Sequence, residues 1–259
     1  MEELIISKVE NQVAIVTFHR PEVKNAFNLA LWKALPITLL SLSENPEVRA
    51  IVLRGEGGHF GAGADIKEMM EYRSSPKKAH SYSEAVHQCF LTMSQLSVPL
   101  IAAIEGYALG GGFMVAISCD IRVAADDAVL GIPLPRLGLA VEWLGIARLV
   151  ETVGSGYARE FLLTADPIPL ERLEKAGMLN AVVEKDEVMK TALSFAERIA
   201  RNSPNAISMT RAVLNELSSP SPNIAFLNSV FGTCLFHPDF EEGARAFFEK
   251  RSPRWKREG

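Results

Sequence analysis

Cysteine is scarce in this chain, and there is no surplus of positive charge. Its three cysteines, Cys89, Cys119 and Cys234, fit neither a disulfide framework nor a paired-cysteine zinc spacing. Each sits in apolar sequence, which suits a reducing compartment, and no metal site is expected. A formal net charge of −4 removes the electrostatic reason to approach nucleic acid or an anionic membrane. The opening MEELIISKVE sets two acids before its apolar residues and lacks the basic-then-apolar progression of an export signal. One window, residues 98–117, is long enough to ask about a membrane span, but Glu105 and a glycine cluster interrupt it. It therefore reads as buried strand, turn and helix, and a cytoplasmic protein is expected. Neither GxGxxG nor a phosphate-binding GxxxxGKS/T occurs, and there are no internal repeats. Nucleotide-dependent chemistry is set aside on that ground.

What is present is apolar residue content of 48% over 259 residues, enough for one large core, since single domains of ~200–250 residues are ordinary. Residues 4–9 and 13–18 flank Asn11 as a strand pair, and short strands are expected at 50–53, 100–104, 120–124, 128–130 and 181–183. Helical spacing covers residues 30–42, where Pro36 should kink or restart the helix, then 65–72, 83–96, a stretch starting near Gly111, and most of the chain beyond Leu144. Alternating strands and helices of this length indicate an α/β architecture. Residues 224–250 read as helix with apolar residues on more than one face, as in a segment that packs on a neighbouring subunit or folds back as a lid.

Two glycine-rich segments each stand where a strand hands over to a helix: GGHFGAGADIKEM, after the strand at 50–53, and GYALGGGFM, after the strand at 100–104. The first N–H groups of a helix lack an intrahelical partner and carry the positive end of its dipole. Glycine lets another molecule approach such backbone closely. Side by side, the two turns can aim one N–H each at a single oxygen, the geometry of an oxyanion hole; the simpler purpose of such glycines is close packing.

The residues HFGAGADIKEM (59–69) and PLIAAIEGYALGGG (99–112) resemble the crotonase superfamily of enoyl-CoA hydratases and isomerases. The resemblance continues through CDIRVAADDAVLGIP (119–133), LLTADPI, AGMLNAVV and EEGARAFFEKRSPRWK (241–256). It implies a spiral of repeated ββα turns over residues 1–195, and a helical region over 196–259 that serves trimer assembly, often as a dimer of trimers, and site closure. It also implies an acyl-CoA substrate, with coenzyme A part of the substrate and no separate cofactor. By the same resemblance the oxyanion donors are the N–H groups of Ala64 and Gly111. Ala62, Asp65 and Ile66 would meet the adenine end of the coenzyme, and Phe247 and Lys250 would close over it.

The hydratases of this family carry two glutamates at positions that here hold Met114 and Leu134. Neither residue can hold water or move a proton, so the usual hydration machinery is missing. Eight positions beyond Leu134 stands Glu142, where isomerase branches of the family and its aryl-CoA dehalogenases resemble this chain in carrying an acid. Among Leu139, Val141, Trp143 and Leu144 that carboxylate is expected to be desolvated, with its pKa raised into the range useful for proton transfer. The plainer alternative is a surface acid at a helix start. His87, 24 residues before Gly111, matches the dehalogenases' histidine in spacing, though those enzymes have tryptophan where this chain has Leu134. Trp143 is expected to wall the acyl pocket with Met114 and Leu134. These features favour double-bond isomerisation of an unsaturated acyl-CoA, with Glu142 as proton shuttle. Hydration or hydrolysis of a cyclic or aromatic acyl-CoA by Glu142 and His87, and a binding protein that has lost catalysis, are the alternatives.

Overall fold

The computed structural model describes residues 3–219 and 221–255; Lys256, the last residue of the carboxy-terminal motif, lies outside them. Strands β1 (Ile5–Glu10) and β2 (Val13–Phe18) form an antiparallel hairpin. Its turn residues, Asn11 and Gln12, both have positive φ, as two-residue hairpin turns require. Helix α1 (Leu29–Glu44) continues as one helix through Pro36, so the proline does not restart it. A proline inside a helix costs about 3 kcal/mol, whereas Leu31, Leu35 and Leu39 are fully buried along one stripe, each contributing roughly 1.5–3 kcal/mol. Tertiary burial therefore outweighs the missing hydrogen bond.

Strand β3 (Ala50–Gly55) leads to α2 (Ile66–Tyr72) and α3 (Pro76–Gln95). Helix α3 starts earlier than its apolar spacing suggests. Ser75 caps it by accepting from Lys78 N–H, and Pro76 sits in its first turn, a start signal that exposed residues obscure in the hydrophobic pattern. Strands β4 (Leu100–Ile104) and β5 (Tyr107–Leu109) precede α4 (Gly111–Ser118); β6 (Ile121–Ala125) and β7 (Val129–Gly131) precede α5 (Trp143–Thr164) and α6 (Leu170–Lys175). Strand β8 (Ala181–Val183) follows, then helices α7 (Val188–Ala200), α8 (Pro204–Leu217), α9 (Ile224–Phe236) and α10 (Pro238–Glu249).

The main sheet has the order β1-β2-β3-β4-β6-β8, parallel from β2 onward. Beside it, β5 pairs with β7, and isolated parallel bridges join Phe27 to Ala64 and Gly61 to Ala108. After β2, β3, β4 and β6, then, the chain visits this second layer before its next helix. Successive turns pair in both layers, which is the expected spiral. Helix α7 packs on β3, β4 and β6 through Val188, Ala192 and Ala196, a stripe small enough to let it lie close to the sheet.

Helix α8 is tied to this body by Arg211, 5% exposed, which donates to Asp120 and to the carbonyls of Met93 and Leu96. What read as one terminal helix is two. His237 is extended (φ −78°, ψ 142°) and Pro238 opens α10, because a residue before proline avoids the helical region. Among the residues of α9 none is buried, so it does not fold back onto its own core as a lid. No described helix is long and apolar enough to cross a membrane, and no described cluster of His, Cys, Asp or Glu can hold a metal.

Candidate active site

The two glycine-rich turns lie backbone against backbone. Gly61 N–H donates to Tyr107 O, and Leu109 N–H donates to Gly61 O. A methyl group on Gly112 would stand 2.2 Å from Gly61 O, so only glycine permits this approach. Gly110, at φ 47° and ψ −115°, turns the chain into α4 in a conformation that side chains avoid. Close packing and ligand access are thus served by the same residues. Neighbouring amides are consumed: Ala62 N–H donates to Lys24 O, Asp65 N–H to Phe27 O, and Gly110 N–H to Gly131 O. Among the described residues no acceptor takes the N–H of Ala64 or of Gly111. A Cβ built on Gly111 would lie 3.5 Å from Ala64 N, so the two free donors are neighbours.

Both residues line a cavity of about 730 Å³ that also includes Ile66, Met114, Leu134 and Glu142. Met114 is 2% exposed and packs so tightly on Gly145 that a methyl group there would overlap its Cε. Glu142 caps α5: Oε2 accepts from Leu144 N–H at 2.8 Å and from Gly145 N–H at 3.4 Å, while Oε1 lies 2.9 Å from His87 Nδ1. It is therefore a helix-start acid and a cavity wall at once. The expected apolar shell is incomplete, since Trp143 is 58% and Leu139 37% exposed. Two backbone donors and an imidazole hold the carboxylate instead. His87, on α3, lies beside Trp143, whose ring centroid is 6.2 Å away. Trp143 thus flanks the histidine more than it encloses an acyl chain.

The remaining candidates are placed differently. Asp65 caps α2 by accepting from Glu68 N–H and pairs with Arg20 at 3.2 Å, while Glu68 accepts from Leu29 N–H. Glu68 thus ties α2 to the start of α1, and Asp65 ties it to Arg20 after β2. Phe247 is 80% exposed and Lys250 ends α10 in the left-handed region, so within one chain neither is packed onto the cavity. His59 is a staple between turns: its Nδ1 accepts from Tyr107 N–H at 3.1 Å and the two rings stack at 4.8 Å. Burial first, then Lys24 and Lys185, hold its pKa below the usual value, which suits an acceptor nitrogen.

Trp32 and Tyr82 were not legible as site residues. Trp32 lies on the apolar stripe of α1 and looks like core, yet its ring faces Gly111 and lines the cavity. Its Nε1–H donates to Tyr82 Oη at 3.1 Å. Burial pushes the Tyr82 pKa up to about 12, so the hydroxyl stays protonated. Tyr82→Phe is expected to cost about 1–3 kcal/mol of stability in urea denaturation, because the buried indole N–H loses its acceptor; unchanged stability would mean that water replaces the hydroxyl.

A two-layer spiral that sets a pair of free amides and a carboxylate around one apolar cavity defines a protein of crotonase fold. An enoyl-CoA hydratase/carnithine racemase from Magnetospirillum magneticum has this fold, with a TM-score of 0.92, 30% identity and coverage of 100% of this chain and 97% of that one. Residues 8–258 match the Enoyl-CoA hydratase/isomerase family, and the chain belongs to that family. It is 35% identical over 250 residues to the short-chain-enoyl-CoA hydratase of Clostridium acetobutylicum, covering 95% of each chain. It is 31% identical over 258 residues to the 2,3-dehydroadipyl-CoA hydratase of Escherichia coli, covering 99% of each.

Proposed function

We propose that this chain moves the double bond of an unsaturated acyl-CoA. The observation that carries the reading is the shared cavity. The free amides of Ala64 and Gly111 and the carboxylate of Glu142 line it together, while Met114 and Leu134 occupy the positions of the family's usual hydratase glutamates. The thioester oxygen would sit between the two N–H donors. Glu142 takes the proton α to the carbonyl, the electron pair of that C–H bond moves onto the oxygen as an enolate, and the donors stabilise the charge. The proton then returns to the γ carbon, the double bond shifts, and Glu142 is again a carboxylate. One base suffices, and apolar Met114 and Leu134 offer water no place to be activated. His87 positions the Glu142 carboxylate through its 2.9 Å contact with Oε1.

Coenzyme A enters as part of the substrate, and no separate cofactor is needed. Assembly into a trimer or a dimer of trimers belongs to the same proposal, with residues 1–195 as the spiral core and 196–259 as the assembly region. It is supported by α9, which carries apolar residues on more than one face and has none of them buried in the single chain, and by Phe236 and Phe247, 93% and 80% exposed. Phe247 and Lys250 would then close over coenzyme from their place on α10, and a cytoplasmic setting completes the reading.

The 2.9 Å contact between His87 and Glu142 favours a second reading, in which the pair activates a water for hydration or hydrolysis. Turnover of 3-enoyl-CoA and 2-enoyl-CoA in deuterated, oxygen-18 water, followed by mass spectrometry, separates the two. Isomerisation is expected to give deuterium gain with the double bond moved and no added oxygen. Oxygen-18 in the product would establish the water chemistry instead, and tight binding of every ester without change would leave an acyl-CoA-binding protein.

A further inference from the structure

The cavity carries a second charge that the reaction does not use. Along its lining from Trp32 to Glu142, Glu142 is the one anion and Arg73 the one cation. They do not neutralise each other, because the Glu142 oxygens are taken by His87, Leu144 N–H and Gly145 N–H. Among the described residues no carboxylate pairs with Arg73. The rest of the lining offers no second cation: Met69, Met70 and Phe90 are apolar, and Tyr72, Tyr82 and Ser83 bring only neutral hydroxyls.

Position sets what an anion there could belong to. Ala64 stands two residues before α2 and Arg73 directly after it. The seven residues of that helix set the backbones of its two ends about 10 Å apart at 1.5 Å rise per residue. A short acyl chain covers that span. Arg73 is exposed at the rim, so a carboxylate reaching it keeps part of its hydration while pairing with the planar fork of N–H donors, which matches a carboxylate with two parallel hydrogen bonds.

We propose that Arg73 binds a carboxylate at the far end of the acyl group, so that the substrate is the coenzyme A thioester of a short dicarboxylic acid. This rests on the reading of the cavity as an acyl-CoA site. It does not depend on what Glu142 does, and saturated, unreactive esters therefore test it. Glutaryl-, adipyl- and pimelyl-CoA, their methyl-ended counterparts valeryl-, hexanoyl- and heptanoyl-CoA, and free coenzyme A are titrated calorimetrically into the full chain and into Arg73→Gln and Arg73→Glu. Arg73→Gln is expected to weaken at least one dicarboxylic ester about 2- to 5-fold, the worth of a solvent-exposed ion pair, and to leave the matched methyl-ended ester and coenzyme A unchanged. Arg73→Glu should weaken the same ester further. Equal weakening of both series and of coenzyme A would assign Arg73 to the coenzyme's phosphates and overturn the proposal. So would undiminished binding of all three dicarboxylic esters. If no ester binds the unaltered protein, the acyl-CoA reading fails with it.

Discussion

Glu142→Gln is expected to lower kcat for double-bond migration by about 10²–10⁴, the usual range for a positioned acid–base group, with binding of a saturated acyl-CoA changed less than about twofold. The substitution is chosen from the geometry. A glutamine amide fills the same volume, its oxygen can accept from Leu144 N–H and Gly145 N–H as Oε2 does now, and its NH₂ can donate to His87 Nδ1 once the neutral imidazole carries its proton on Nε2. The cap of α5 therefore survives. Glu142→Ala would remove it at a cost of about 0.5–2 kcal/mol and would mix stability with chemistry. Single-turnover rates and calorimetric binding read the two quantities separately. Full activity in the glutamine variant rules out a proton shuttle at this position. Loss of binding in step with loss of rate would make Glu142 a structural cap only.

The second large effect concerns a backbone atom. Ala64→Pro deletes one of the two proposed oxyanion donors, and kcat should fall about 10²–10³-fold, the cost of removing one such hydrogen bond. Proline is tolerable here for a specific reason. The bridge to Phe27 is made by Phe27 N–H to Gly63 O and by Asp65 N–H to Phe27 O, so the N–H of Ala64 is not among the bonds that hold the turn. Ala64 is also not among the residues of positive φ, a region that proline's fixed φ of about −65° excludes. Thermal unfolding and far-ultraviolet circular dichroism check that the fold is retained. A folded variant that keeps its rate would remove Ala64 from the transition state.

These two substitutions act at residues of unequal legibility, and the difference follows from chain distance. Turn sequences report their own geometry, because glycine at strand–helix junctions is a local requirement of backbone conformation and contact. Gly110, Gly111 and Gly112 accordingly announced an open helix start, and α4 begins at Gly111. Strands rich in Val, Ile and Leu were equally local, and β8 fell at the expected residues. Strand β5 stayed hidden because Tyr107–Leu109 lie within a glycine-rich stretch that reads as a turn, and owe their extended form to β7 and the Gly61 bridge. Pro36 misled for the converse reason: its local cost is real, and distant leucine burial exceeds it.

Family membership, the α/β class and the two glycine-rich strand–helix turns were determined by the sequence by itself, since each is written in contiguous residues and their spacing. Only the tertiary structure decided that His87 meets Glu142 across 55 positions, that Trp32 and Tyr82 wall the site, that Trp143 stands largely exposed, and that Arg73 faces the same cavity as the oxyanion donors. Each of these is a contact between separate elements, and which side of a helix meets which neighbour is fixed by packing the whole spiral, not by the few residues that form the helix.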